Sequence, residues 1–343
     1  MKILAIDTAC DETSVAVTTG RQVLSTAQFS QVVLHKQWGG VVPIIAKRAQ
    51  EEHIQPTIEM ALKRARVSLD DIETIAVTFG PGLAIALGVG IDNAKELATA
   101  HHKKLIAVNH MEGHIYSCFA QNSKGNPDFE FKFPYLVLLV SGGHTELVLM
   151  KDHGQYEVIG KTLDDAVGEA LDKAARIIVD EMVYPGGPII ERLALQGNDT
   201  FIHFTRPMAR SNNLHMSYSG LKTALFNTVR GMSDQERVRH MHDLAASFQQ
   251  AAFDELVMKL EKAMKKYKIY WVVMGGGVSA NIHLRKMVRK LVQRYHGKAF
   301  FPTSPKLYGD NAAMIGVAAH FHAQRGDFVD TIDSLERNAR AGL

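Results

Sequence analysis

The segment "HMEGH", His110 to His114, sets two imidazoles four residues apart, so a helix through them presents both on one face and can chelate one ion. The zinc-protease pattern shares that histidine spacing but places a glutamate directly after the first histidine as general base. Here Glu112 comes one place later and points to another side of the helix, so proteolysis is not the chemistry indicated. A histidine pair in a chain with sixteen histidines is usually coincidence. Its position strengthens it, because "KKLIAVN" (103–109) reads as a strand and α/β proteins place ligands at strand ends. A third ligand is expected from the other lobe. Asp310 in "YGDNAAMIG" (308–316) offers a carboxylate at a helix N-terminus, where the plainer role is a cap.

Other polar groups fall in turns. "IDTACDET" gathers Asp7, Asp11 and Glu12, which could bind a cation, position a water or hold an attacking group; Asp and Thr are also ordinary turn formers. "SGGHT" (141–145) offers backbone N–H groups and two hydroxyls, a nest for phosphate oxygens, in which His144 fits equally as a polar turn residue. "VVMGGGVSAN" (272–281) places three glycines between a strand and a helix, where backbone can approach an anionic ligand closely. "YPGGP" (184–188) is a turn with Gly187 open to a ligand, whereas Asp172 has no local mark separating it from helix surface. The helix "HLRKMVRKLVQR" (283–294) carries Arg285, Lys286, Arg289, Lys290 and Arg294, and "KKYK" (265–268) adds to the basic cluster. They read as a solvated face or a nucleic-acid patch.

These residues need a frame. "ILAIDTACDETSVAV" (3–17) and "LVLLVSGGHTELVLM" (136–150) share one plan: apolar run, small polar turn, apolar run. After the first come a strand near 22–29, a helical region over 46–67 interrupted or restarted at Pro56, a strand over 73–79, and a helix from Ala84 to Ala100. After the second come a helix around 165–179, further helices, a strand over 269–274, and helices from about 279 and 311. Alternating strands and helices give an α/β class. Two similar lobes, each opening with a hairpin turned toward a central cleft, are the layout of the actin-like (ASKHA) phosphotransferases. The expected division is a first lobe over 1–120 carrying the histidine pair, a linker over 121–134, and a second lobe over 135–343 carrying the glycine-rich turns.

The bulk numbers allow this. A chain of 343 residues can bury two cores, and 46% apolar with 22% charged residues is ordinary for a globular protein. A net charge of +3 neither demands nor excludes a nucleic acid. Cys10 and Cys118 have no metal-type pairing and imply no disulfide framework. The N-terminus reads as a first strand, and no apolar run reaches the ~18 residues of a membrane span. A cytoplasmic protein is the expectation.

In order along the chain, "IDTACDETSVAV", "GGVVP", "GPGL" with "VGIDNAKELA", "HMEGH", "LLVSGGHTEL", "DDAVGEALDKAAR", "YPGGP", "SYSGLKTA", "GGGVSAN" and "GDNAAMIG" resemble the TsaD (YgjD, Gcp) family of tRNA threonylcarbamoyladenosine transferases. The resemblance implies transfer of a threonylcarbamoyl group from threonylcarbamoyl-AMP to the exocyclic amine of the adenosine 3′ of the anticodon, in tRNAs reading codons that begin with A. It further implies His110, His114 and Asp310 as ligands of one iron (Fe2+) or zinc ion. Leu139, Val140, Ser141, Gly142, Gly143, Asp172, Gly187 and Asn281 would contact the adenylate and its acyl group. Asp11 and Glu12 are the candidates for positioning the amine or relaying its proton, and TsaB-like and TsaE-like proteins are the implied partners.

The chain departs from the family pattern at Asp7, where Glu is common, and at Ile44, Lys47 and Gln50, where Glu, Ser and His are usual. The Arg-Pro-Arg-Trp-like tail of many bacterial relatives is absent. Substrate-loop or partner contacts are where these departures should be felt. Two rivals stand beside the transferase. A small-molecule kinase on the same fold leaves the histidine pair and Asp310 without a task. A non-catalytic scaffold would have no need to keep all three.

Overall fold

The structure is a computed structural model that describes residues 1–343 except Phe129, Pro207 and Arg210. In the first lobe, β1 (Lys2–Asp7), β2 (Glu12–Thr19) and β3 (Gln22–Ser30) form an antiparallel meander. A short helix α1 (Val32–His35) and the long α2 (Pro43–Ala65) follow, then β4 (Thr74–Gly80), α3 (Ala84–Ala100), β5 (Lys104–Asn109) and α4 (His110–Tyr116). The second lobe repeats the plan with β6 (Tyr135–Val140), β7 (Thr145–Asp152) and β8 (Gln155–Lys161). It continues through α5 (Val167–Val179), α6 (Gly187–Ala194), α7 (Ser219–Arg230), α8 (Asp234–Arg239) and α9 (Met241–Tyr267). Then come β9 (Trp271–Gly275), α10 (Ile282–Arg294), β10 (Lys298–Phe300) and α11 (Ala312–Arg325).

The sheet orders make the duplication explicit. The first sheet runs β3-β2-β1-β4-β5 and the second β8-β7-β6-β9-β10, so the second is the first advanced by five strands. In each, the leading strand pairs antiparallel with its hairpin partner and parallel with the strand that follows the helical crossover. The central strands are unbroken apolar runs because helices cover both faces; all six residues of β6 are buried.

Three apolar clusters hold the molecule. One lies outside each sheet. The third lies between the sheets and mixes Ile3, Ala5 and Ala76 of the first with Val137, Leu139 and Val148 of the second, around residues of α4 and α11. The two lobes therefore share a core at their junction, and α4 is wedged into it. A Cβ on Gly275 at the end of β9 would collide with the carbonyl of His114, so the glycine lets the second sheet abut the helix that carries the histidines.

Two expectations are corrected here. The helix over 46–67 is neither interrupted nor restarted at Pro56: α2 runs from Pro43 to Ala65 straight through it. Glu52, whose carbonyl loses its partner to the proline ring, sits like Pro56 on the exposed face, so water can satisfy the carbonyl. The second is the place of α11. It follows the second sheet in sequence but packs on β1, β2, β5 and α4 of the first lobe. Residues beyond it stay there, with Val329 N–H donating to Leu105 O and Asn338 N–H to Phe79 O. The span 135–343 is thus not one spatial lobe, because α11 and the residues after it complete the first. Of the segment expected as a linker, 121–134, all but Phe129 lies within the described residues.

Candidate active site and metal centre

Helix α4 starts where β5 ends. Asn109 caps it, its Oδ1 accepting from Met111 N–H at 2.8 Å, and this sets both histidines into the space between the lobes. His110 Nε2 and His114 Nε2 lie 3.4 and 3.3 Å from the same oxygen, Asp310 Oδ1. All three ligand atoms fall within 4.8 Å of one another. Donors held at about 2.1 Å from a common ion are themselves roughly 3–3.4 Å apart, so the cluster fits one small divalent cation. The loose ends agree with this. Both nitrogens of His114, fully buried, have no hydrogen-bond partner among the described residues. Burial opposes charge on His110, yet the carboxylates of Asp7 and Asp310 outweigh it and lift the imidazole to about 10. The pocket is built to receive positive charge.

Asp310 comes from the segment before α11. The cap of that helix is Asn311, whose Oδ1 accepts from Met314 N–H at 3.0 Å, and this releases Asp310 from the capping role. The ligand expected from the other lobe is delivered by a helix packed on the first. What the second lobe contributes is His144. Burial lowers it to about 4, with the neighbouring His110 and His114 adding to the effect.

Asp7 stands behind His110, its Oδ1 3.4 Å from Nδ1 and also accepting from Thr78 Oγ1 at 2.8 Å. A carboxylate behind a ligating histidine fixes ring orientation and raises ligand basicity. Sequence reasoning treated Asp7 as one acid among three. The signal available was its place at the end of β1, level with the end of β5. Glu112 faces the opposite side of α4, accepting from Tyr156 OH at 2.7 Å and lying 2.7 Å from His322 Nε2, as its offset from His110 required.

Beside the cluster lies a cavity of about 320 Å³ whose walls include Asp11, Glu12, Gly142, Asp172, Gly187, Asn281 and Asp310. It is thus framed from both lobes. Asp172 Oδ1 accepts from Gly186 N–H at 2.6 Å and Gly187 N–H at 3.1 Å, which ties the "YPGGP" turn to α5. Asn281 caps α10 through Leu284 N–H at 3.1 Å and donates to Gln249 Oε1 at 2.8 Å. In the 141–144 turn, Ser141 Oγ accepts from His144 N–H at 3.0 Å, while the Cα positions of Gly142 and Gly143 face open space. Leu139 and Val140 are not brought to the cavity. They are fully buried strand residues whose side chains belong to apolar clusters.

The acidic turn is held from outside. Tyr184 OH donates to Asp11 Oδ2 at 3.1 Å across the cleft, a contact the turn motif alone did not suggest. Burial, then the nearby Asp310 charge, raises Asp11 above the ordinary carboxyl range. Burial lifts Glu12 to about 7, against hydrogen bonds from Ser30 and Gln28 that favour its ionised form. Its Oε1 accepts from Ser30 Oγ at 2.8 Å, and its Oε2 is buried without a partner among the described residues. The three departures in α2 separate cleanly. Ile44 is exposed and Lys47 pairs with Glu51 at 3.2 Å on the surface. Gln50 is fully buried, and its Nε2 donates to the carbonyls of Cys10 at 2.9 Å and Thr8 at 3.2 Å. Of these three, Gln50 is the one that reaches the site, as Asp7 does from β1.

The family model described as TsaD, tRNA N6-adenosine threonylcarbamoyltransferase, matches residues 22–317. A tRNA N6-adenosine threonylcarbamoyltransferase of Staphylococcus carnosus (strain TM300) is 45% identical over 325 residues, 94% of this chain and 92% of that protein. The protein of the same name from Limosilactobacillus fermentum (strain NBRC 3956 / LMG 18251) is 43% identical over 330 residues, 96% and 93% of the two chains. Among solved structures, full-length HypF in its phosphate- and nucleotide-bound form aligns with TM-score 0.62 at 13% identity, over 96% of this chain and 56% of that one. The activator of 2-hydroxyisocaproyl-CoA dehydratase from Clostridium difficile, with bound ADPNP, aligns with TM-score 0.54 at 12% identity, over 95% and 97%. At such identities the structural likeness speaks for the fold, two actin-like lobes about a cleft.

Proposed function

Because the chain belongs to the TsaD family, the tRNA N6-adenosine threonylcarbamoyltransferases, we propose that its donor is threonylcarbamoyl-AMP and its acceptor the N6 amine of the adenosine 3′ of the anticodon, in tRNAs reading A-starting codons. The observation that supports this most is the convergence of an acidic turn, two glycine-bearing turns and the His110–His114–Asp310 cluster on one cleft. A kinase would leave that cluster idle, and a scaffold would not need it.

The amine nitrogen attacks the carbamoyl carbon, a new C–N bond forms, the C–O bond to phosphate breaks, and AMP leaves with the electron pair. One amine proton must be removed. Glu12, lifted to about 7 and lining the cavity, is matched to accept it at neutral pH. Asp11, fixed by Tyr184, positions the amine. Gly142, Gly187 and Asn281 border the space for the adenylate, and Asp172 holds the Gly187 turn in place. His110, His114 and Asp310 would hold an iron or zinc ion, with Asp7 orienting His110. Such an ion supplies Lewis-acid polarisation of the donor carbonyl. TsaB-like and TsaE-like proteins are the partners in this reading. The reaction belongs in the cytoplasm, where tRNA is held; among the described residues no helix is long and apolar enough to cross a membrane.

The test is nucleoside mass spectrometry on unmodified tRNA incubated with this protein, threonylcarbamoyl-AMP and the partner proteins. Threonylcarbamoyladenosine should form only when the chain is present. Its absence, in a mixture where a family relative works, overturns the reading.

A further inference from the structure

A second cavity, of about 470 Å³, lies behind the segment that carries Asp310. Its walls include Arg285 and Arg289 of α10 together with Phe301, Ser304 and Tyr308. The Arg285 guanidinium carbon stands 5.3 Å from the centre of the Phe301 ring and 5.2 Å from that of Tyr308. That of Arg289 stands 4.7 Å from the same Phe301 ring. Two like charges thus share one aromatic ring. Among the described residues no carboxylate lines the cavity, neither guanidinium has an ion pair or hydrogen bond, and the Arg285 Nε is buried without a partner. Ring faces attract cations but do not neutralise them. The arrangement lacks an anion, and a planar donor fork stacked on a ring is suited to a phosphate group.

The cavity is joined to the reaction cleft through two elements. Asn281, Arg285 and Arg289 are spaced i, i+4 and i+8 on one helix face, and Asn281 borders the cleft. Tyr308 immediately precedes Gly309 and Asp310, which border it too. Lys286 and Lys290 are exposed on α10 and extend the positive charge beyond the pocket, whereas Arg294 is engaged by Glu261 at 3.6 Å. A small anion would need only the two arginines; a track of cations leading away from them fits a polyanion.

We propose that this second cavity is a subsite for the RNA substrate, in which Arg285 and Arg289 grip a backbone phosphate outside the reaction cleft. The proposal rests on the transferase reading above. Its test is to compare Arg289→Gln and Arg285→Gln with the unsubstituted chain in the complete transfer mixture, alongside binding of unmodified tRNA over a series of salt concentrations. Each variant should raise the KM for tRNA about three- to tenfold with kcat at saturation unchanged, and should flatten the salt dependence of binding by about 0.7–0.9 in log–log slope. Arg289→Lys, which keeps the charge without the fork, should restore the slope but only part of the KM. Arg289 is exposed, so its variants remain informative if Arg285→Gln melts early. Unchanged KM and slope in a folded Arg289→Gln overturn the subsite alone. Failure of the unsubstituted chain to bind or modify tRNA overturns the transferase reading, and the subsite with it.

Discussion

The two hairpin turns that face each other across the cleft occupy equivalent places in equivalent sheets and are built from opposite materials. The first, between β1 and β2, is acidic and immobilised by side chains: Gln50 ties down the carbonyls of Thr8 and Cys10, and Tyr184 holds Asp11. The second, between β6 and β7, exposes Gly142 and Gly143 and is closed by its own Ser141 and His144. A duplicated frame thus carries one wall that presents carboxylates and one that presents main chain. The first wall should fail when charge or a clamp is removed, the second when atoms are added.

The largest effect is expected at the metal centre, which adjoins the acidic wall. Asp310→Ala should abolish bound metal and reduce transfer by at least ~100-fold while the chain stays folded, read by elemental analysis, mass spectrometry and circular dichroism. Normal transfer by that variant would remove the metal from the mechanism.

Around the glycine wall, two substitutions in neighbouring elements of the second lobe separate fold from ligand. A Cβ at Gly168 would lie 2.5 Å from the Ser141 carbonyl oxygen, so Gly168→Ala should lower stability by about 1–3 kcal/mol in a denaturant titration. A Cβ at Gly187 meets nothing within 4 Å, so Gly187→Ala should leave stability intact and weaken only donor binding. Equal stability of the two variants would mean the second wall is not built by close approach.

Gln50→Leu tests the clamp. It strands buried carbonyls of the first turn and should cost about 1–3 kcal/mol, with transfer falling further than the stability loss explains. Gln50→His, which keeps a ring N–H donor at this place, should recover most of the rate.

The smallest effect is a pH limb. Glu12 is raised from 4.5 to about 7 by burial, so its protonated form is the one the fold favours. Its contribution to stability is therefore complete below about 4.5 and is lost as pH rises through 7. Transfer has the opposite sign, because only the ionised carboxylate accepts a proton, and should climb through the same range. Glu12→Gln should flatten both profiles. A climb in rate that survives this substitution assigns the proton to another group.

Much of this architecture could be read from residue order. The repeated hairpins, the strand ending at His110, and the spacing of His110 and His114 are local patterns, and local patterns survive in sequence. Asp310 was legible as a carboxylate before a helix, but not which sheet that helix would cover, because α11 meets β1 across some three hundred residues and carries no mark of it. Pro56 misled for a related reason: a proline breaks a helix when its freed carbonyl is buried, and sequence alone does not say which face is wet. Asp7, Tyr184 and Gln50 matter through partners far away in sequence. Their roles became visible only when β5, the opposite lobe and the first turn were brought beside them.

The return of α11 to the first lobe bears on how the protein is born. A ribosome releases the histidine pair along with the first sheet, but Asp310 and the helix that seals that sheet emerge only after the second sheet has been made. Until then the apolar faces of β1, β2 and β5 that α11 covers lack their lid, and His110 and His114 lack their third companion. Assembly of the three-residue cluster thereby waits on the synthesis of Asp310. A polypeptide stopped before Asp310 carries the strands of both sheets and no finished cluster.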